Sequence, residues 1–283
     1  SSWENLIDVK SEKCPSFVIL ADPFSIQVGQ FLMGLDFAFP DSSMIGGLAS
    51  GGRMHGENAL YMNGNIYRSG AIGLAFQGDL ALDTVVAQGC RPIGSVMQVT
   101  RCEGNELLEL NEQTPFEILK EIFSLLSARD RELIQHSLFL GVVMDELNND
   151  PQFGDFLIRN IVGIDPRTGT LKISELLKEG QTVQFHLRDA ETSSKDLNSM
   201  LTRYKRDDLW ESASSALLFQ CLGRGSYLYG KPNHDTRAFK DSIGEIPVAG
   251  FFCNGEIGPV GEYTYLHAYT SAYGIFRPKK QRG

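Results

Sequence analysis

The sequence predicts an α/β protein of two packed lobes, with mixed twisted sheets, outer helices and an element order that suggests an internal duplication. Three observations carry this. Short apolar runs of strand length alternate with stretches of helical periodicity. Two late runs, LLFQCLGRG (Leu217–Gly225) and IPVAGFFCNGEIGP (Ile246–Pro259), pass from an apolar strand straight into a glycine-broken polar turn. The last third of the chain also repeats the order of the first: strand, helix, strand into a Gly-rich turn, further strands.

Phe17–Asp22 reads as a buried strand, and Val28, Phe31, Leu32, Leu35 and Phe39 then recur at helical spacing until Pro40 stops the pattern. Met44–Leu48 resumes a strand and enters GGLASGG (Gly46–Gly52). Ala59–Met62 and Ile66–Arg68 flank Asn63-Gly64, a hairpin signal, and Ala71–Phe76 adds a strand. Thr114, Pro115 and Glu117 form a capping box with proline at the first helical position. Phe116, Leu119, Ile122, Phe123 and Leu126 are expected on that helix's inner face. Leu138–Met144 is a strand, Phe156–Ile164 and Thr170–Ile173 pair around the turn 165–169, and Thr182–Leu187 follows. A capped helix is expected from Ser193, with Leu197, Met200, Leu201 and Tyr204 apolar. Ala216–Leu222, a helix near Asp235–Ile243, Val248–Gly258 and Tyr263–Phe276 complete the order.

The 283 residues are 42% hydrophobic and 22% charged, which is ordinary for a folded globular chain and unlike a disordered or fibrous one. A net charge of −9 argues against a nucleic-acid surface. The nearest basic cluster, Arg203, Lys205 and Arg206, stands beside Asp208 and reads as a solvated helix end. No run reaches the length of a membrane span. The five cysteines are scattered, without C-x-x-C pairs or neighbouring histidines, so no metal is expected. All five read as reduced, which places the chain in a cytoplasm or an organelle interior such as a plastid stroma.

The chemistry-bearing groups gather at the two late turns. Arg224, between Gly223 and Gly225, offers a bidentate fork for a carboxylate or phosphate, or alternatively braces its turn through carbonyls. Asn254, Gly255 and Glu256 form a second turn whose carboxylate suits an ammonium group, with Asp235 and Glu262 as secondary acids. Arg91, in QGCRPIG (Gln88–Gly94), is a further anion partner or a salt-bridge former. Cys221 could be activated by Arg224, with His234 or His267 as its base; the competing role is buried filler, also open to Cys253. GGLASGG lacks the Lys-Ser/Thr of a P-loop and the G-x-G-x-x-G order, which disfavours nucleotides.

These runs, together with LADPFS (Leu20–Ser25), GLDFAFP (Gly34–Pro40), GGLASGG and QGCRPIG, resemble the FIST N-terminal and C-terminal domains over nearly the whole chain. The resemblance implies an N-terminal-like domain over residues 1–130, with a further α/β segment expected before Phe17, and a C-terminal-like domain over 131–283. It also implies a sensory module that binds a small anionic or zwitterionic metabolite such as an amino acid and signals through a separate protein partner. Haem enters as a cofactor only through the family; the residues themselves predict none. An interaction scaffold and a Cys-dependent enzyme are the alternative readings.

Overall fold

A computed structural model of the chain describes residues 2–148, 150–206 and 208–279. The chain forms two compact units: one joins Ser1–Gln88 to Ser194–Gly283, and the other is Gly89–Ser193. The sequential division expected at residue 130 thus falls inside the second unit.

α1 (Ser2–Ile7) and a 3-10 turn (Ser11–Lys13) precede β1 (Ser16–Ala21). α2 (Val28–Ala38) follows, and its Val28, Leu32 and Leu35 are buried as the spacing predicts. β2 (Met44–Leu48) pairs parallel to β1. β3 (Leu60–Met62) and β4 (Asn65–Tyr67) form the expected hairpin. Its turn residues Asn63 and Gly64 both have positive φ, the conformation that a tight hairpin demands and that asparagine and glycine tolerate. β5 (Ala71–Phe76) lies antiparallel on the other side of β1, and β6 (Leu80–Ala87) ends the first pass through this unit.

The second unit is a closed six-stranded barrel. β7 (Cys90–Glu103) and β8 (Glu106–Leu110) lead into α3 (Pro115–Leu125) and α4 (Ala128–Ser137). β9 (Leu138–Val143), β10 (Phe156–Asp165), β11 (Thr170–Ile173) and β12 (Thr182–Arg188) close the ring in the order β10-β11-β8-β7-β12-β9. β7 has no counterpart among the expected elements. It runs for 14 residues and pairs with both β8 and β12 through register shifts, the bulges by which a long strand bends around a barrel. The capping box of α3 forms as predicted, with Thr114 Oγ1 donating to Glu117 Oε2 at 2.8 Å and accepting from the Glu117 amide. Its buried face is Ile118, Leu119 and Ile122. Phe123, expected inside, is exposed and lies against Arg131 instead, because the inner stripe turns past it.

His186 on β12 is buried among these strands, its Nδ1 3.0 Å from the Gln184 carbonyl and its ring beside Phe156. Burial pushes its pKa down to about 4, against a weaker upward pull from that carbonyl. Below an unfolded pKa of roughly 6.5 the unfolded chain takes up a proton that the folded chain refuses. Stability should therefore fall as pH drops from 6.5 to 4, by about 3 kcal/mol in all. Urea midpoints followed over that range should drop less steeply in His186→Gln; parallel slopes would show that His186 is not the group responsible.

α5 (Ala190–Tyr204) returns the chain to the first unit. It starts earlier than the expected Ser193, since Asp189 Oδ1 accepts from the Thr192 amide at 2.8 Å and caps the first turn. β13 (Ser215–Cys221), the short α6 (Ser226–Tyr229), α7 (His234–Ile243), β14 (Val248–Cys253), the hairpin β15 (Glu256–Val260) with β16 (Tyr263–His267), and β17 (Ser271–Pro278) follow. β13 pairs parallel with β14 and antiparallel with β17, the same arrangement that β1 makes with β2 and β5. This repeat is the one that the element order suggests.

The first unit has two sheets, β16-β15-β2-β1-β5 and β14-β13-β17-β6. Val18 and Ile45 of one meet Phe219, Cys253, Ala272 and Leu82 of the other. Alternate residues point away to the helices: Phe17 and Ile19 toward α2, and Ala216 and Leu218 toward Leu197 and Leu201 of α5 and Phe239 and Ile243 of α7. The unit is a helix-sheet-sheet-helix stack. No helix among the described residues is long and apolar enough to cross a membrane.

Candidate functional site

The glycine-bearing turns that follow β2, β13 and β14 come to one end of the first unit's two sheets. Ser50, just beyond β2, accepts from the Asn254 amide, just beyond β14, at 2.8 Å, and the Leu48 amide donates to the Gly255 carbonyl at 2.9 Å. The carboxyl ends of both parallel strand pairs therefore adjoin, and in open α/β sheets that is where ligands bind.

On the β1 and β2 side, Asp22 directly follows the strand and is fully buried. Asn58 Nδ2 donates to Asp22 Oδ1 at 2.9 Å, while Asn58 Oδ1 accepts from the Gly52 amide at 2.9 Å, so one side chain ties the glycine loop to the strand end. Burial pushes the Asp22 carboxyl up, but Ser25, Asn58, the Phe24 amide and the His55 charge together hold it below its ordinary range. Arg53 and Arg68 are exposed on this loop side. The Arg53 amide donates to Glu57 Oε2 at 2.6 Å and Arg68 to the Asn58 carbonyl at 3.2 Å.

On the β13 and β14 side, Arg224 is 1% exposed and turned inward. Its Nε donates to Asp235 Oδ2 at 2.6 Å, one terminal nitrogen to the Tyr229 hydroxyl at 2.7 Å and the other to the Tyr269 carbonyl at 3.3 Å. Asp235 Oδ2 also accepts from Gln220 and Ser271, each at 2.6 Å. Burial opposes the carboxylate, yet Arg224, Ser271 and His234 lower Asp235 to about 2. The same burial opposes the Arg224 charge, and Asp235 more than offsets it. Arg224 thus holds the Gly223–Gly225 turn from within. Gly225 has φ 62°, and a Cβ there would stand 3.1 Å from the Phe252 ring.

Glu256 is also fully buried, with Oε2 accepting from the Thr270 amide at 3.0 Å and Oε1 facing Cys253 Sγ at 3.6 Å. Burial and the Glu256 charge push the Cys253 thiol far up. Cys221 sits in register with Cys253 on the adjacent strand, with its sulfur accepting from the Gly223 amide at 3.5 Å. Asn254 is exposed at the turn and Gly255 is buried. Glu262 is exposed beyond β15. Arg91 belongs to the second unit, paired with Asp189 at 3.2 Å and closely with Asp130.

The two candidate bases are engaged elsewhere. His267 is buried with Nε2 3.0 Å from the Gly258 carbonyl. His234 stacks on Tyr229 with ring centroids 3.6 Å apart; its Nδ1 faces Asp235 Oδ1 at 2.7 Å and its Nε2 faces Ser194 Oγ at 3.1 Å. Both ring nitrogens of His234 and the Nε2 of His267 thus already meet protein oxygens. Among the described residues no group of three or more His, Cys, Asp or Glu side chains is placed to hold a metal ion. Sequence reasoning did not single out Asp22, Asn58, Ser50 or Ser194. An acid directly after an apolar strand was the available signal for Asp22, whereas Ser194 carries none, being one polar residue on a helix.

An uncharacterized protein of Mycobacterium tuberculosis is 38% identical to this chain over 259 residues, which cover 92% of the chain and 67% of that protein. An F-box/LRR-repeat protein of Arabidopsis thaliana is 30% identical over 112 residues, 34% of this chain and 21% of its own length. F-box only protein 22 of Homo sapiens is 32% identical over 79 residues, 28% of this chain and 20% of its own length. The FIST N domain matches residues 4–113 and the FIST C domain residues 115–259. Between them they take in both late turns, the glycine loop after β2 and the strand ends on which all of these stand, and the chain belongs to the FIST family, whose domains are associated with signal transduction.

Proposed function

We propose that the protein is a sensory module that binds a small zwitterionic or anionic metabolite at the joined strand ends of the first unit and signals through a protein partner. The observation that carries this reading is the Ser50–Asn254 contact, which sets the carboxyl ends of two parallel strand pairs side by side. The Gly223–Gly225 and Asn254–Glu256 turns form one wall of the site and the 49–58 loop the other. Arg224 and Glu256 act from beneath, fixing the turns through Asp235 and Thr270. Backbone groups of the turns, Asn254 and the exposed Arg53 and Arg68 meet the ligand's acid end, while Asp22 supplies the negative potential for an ammonium group.

An output partner has a surface to use in the same unit. β14 is an edge strand, and Phe251 and Phe252 on it are exposed, which suits pairing with an added strand.

A thermal-shift screen of amino acids and organic acids tests the reading. A ligand at a hundredfold excess over its Kd stabilises by about 3 kcal/mol, enough to raise the melting temperature by several degrees. Arg53→Ala combined with Arg68→Ala should abolish the shift without lowering the unliganded melting point. A screen in which no compound moves the transition would sink the proposal.

A further inference from the structure

Ser194, His234 and Asp235 form a linked line of hydrogen-bonding groups, and its first two members have no part in the proposed ligand site. Asp235 is buried and ionised, with its Oδ1 2.7 Å from His234 Nδ1. That contact calls for a proton on Nδ1 and leaves the Nε2 lone pair outward. Ser194 Oγ stands 3.1 Å from Nε2, the distance at which a hydroxyl donates to it. Tyr229 stacks flat on the imidazole and fixes the plane of the ring. Asp235 is in turn held by Arg224, Gln220 and Ser271, so the orienting group does not move. Ser194, on α5, and His234 are each only partly buried, whereas Asp235 is enclosed.

A hydroxyl, an imidazole of fixed tautomer and a buried carboxylate in this order are what nucleophilic acyl transfer requires of its first three groups. We infer that Ser194 is an activated nucleophile that accepts the acyl group of a carboxylic ester, with His234 as its general base and Asp235 as the residue that positions the base. In the first half-reaction the Ser194 Oγ–H proton passes to His234 Nε2 while Oγ bonds to the carbonyl carbon. The carbon-to-alkoxy bond then breaks, and the leaving alcohol takes the proton back from Nε2. Water repeats the sequence on acyl-Ser194 and releases a carboxylic acid, leaving the serine and the neutral imidazole as they began.

The purified protein treated with a fluorophosphonate probe tests this, because that probe phosphonylates activated serines with loss of fluoride. We expect one adduct per chain, mapped by peptide mass spectrometry to Ser194, absent in Ser194→Ala and absent from urea-unfolded protein. His234→Gln should label at least about 100-fold more slowly. Wild-type protein alone decides the matter if that variant does not fold: no adduct at Ser194, or one that forms equally fast in urea, overturns the inference. Nitrogen-15 NMR of the wild type reads the positioning role of Asp235. His234 is expected as the Nδ1–H tautomer, and the Nε2–H tautomer would remove the general base and the inference with it. These outcomes are independent of the metabolite screen.

Discussion

Asp235→Ala should destabilise the first unit by about 3–5 kcal/mol, because it strands the Arg224 guanidinium inside the protein without a counter-charge. The argument rests on how completely the pair is enclosed. Both side chains have no exposed surface, and Asp235 Oδ2 accepts from Arg224, Gln220 and Ser271 together. Removing the carboxylate leaves these three donors and the His234 Nδ1–H aimed at nothing, and a charge that water cannot reach. Arg224→Ala should cost a similar amount for the mirror-image reason. The double variant Arg224→Leu with Asp235→Leu should cost clearly less than the sum of the two single losses, since neither charge is then orphaned. The pH dependence has a definite sign. Asp235 is lowered to about 2 in the folded chain, so its contribution is complete above the unfolded value of about 4 and is lost as pH falls through 2. Urea unfolding at neutral pH measures the first effect and acid titration the second. A loss below about 1 kcal/mol for Asp235→Ala, or purely additive single variants, would mean that the pair is not the brace of this turn.

Most of what the sequence shows correctly is local chemistry. The Asn63-Gly64 hairpin, the Thr114 capping box and the buried stripe of α2 each depend on residues within a few positions of one another. β6 and β7 are not visible in the same way, because they pair with remote strands: Leu82 with Phe276 on β17, and Ile93 with Phe185 on β12; β8 joins β7 across the adjacent Gly104 turn, a local pairing that the sequence reading does not include. The interleaving of the units has the same cause. β15 and β17 complete sheets begun by β2 and β6 before the barrel, so chain order does not follow compactness. At the site, the apolar runs and their glycine turns are legible, but the direction of each side chain is not. Arg224 reads equally well as a ligand clamp or as a brace until Asp235, eleven residues on, is seen at its Nε. Asp235 itself reads only as a secondary acid. Ser194 and His234 meet across 40 residues; His234 is legible as a candidate base, but nothing near Ser194 marks it as the partner.

Gly250→Ala should prevent the first unit from folding, and Gly46→Ala should do the same, each with a loss of at least about 4 kcal/mol. Gly250 pairs with Leu218 across the parallel strands β14 and β13, and Gly46 pairs with Ile19 across β2 and β1. A Cβ on Gly250 would stand 1.8 Å from the Leu218 carbonyl oxygen, and one on Gly46 would stand 1.9 Å from that of Ile19. Both obstacles are backbone atoms of a neighbouring strand, so no rotamer change relieves them. The strands must move apart, and that would break the ladder next to the turns that form the candidate site. The two glycines hold the same place in the two repeated strand pairs, so the close approach is a requirement of the arrangement itself. Gly29→Ala is the matched control: it lies in α2, a Cβ there meets nothing within 4 Å, and alanine favours helix. That variant should be neutral or stabilised by about 0.5–1 kcal/mol. Circular dichroism and thermal melts of the three variants separate the outcomes. A Gly250→Ala protein that melts within a few degrees of wild type would show that β13 and β14 stand further apart than their paired carbonyls require.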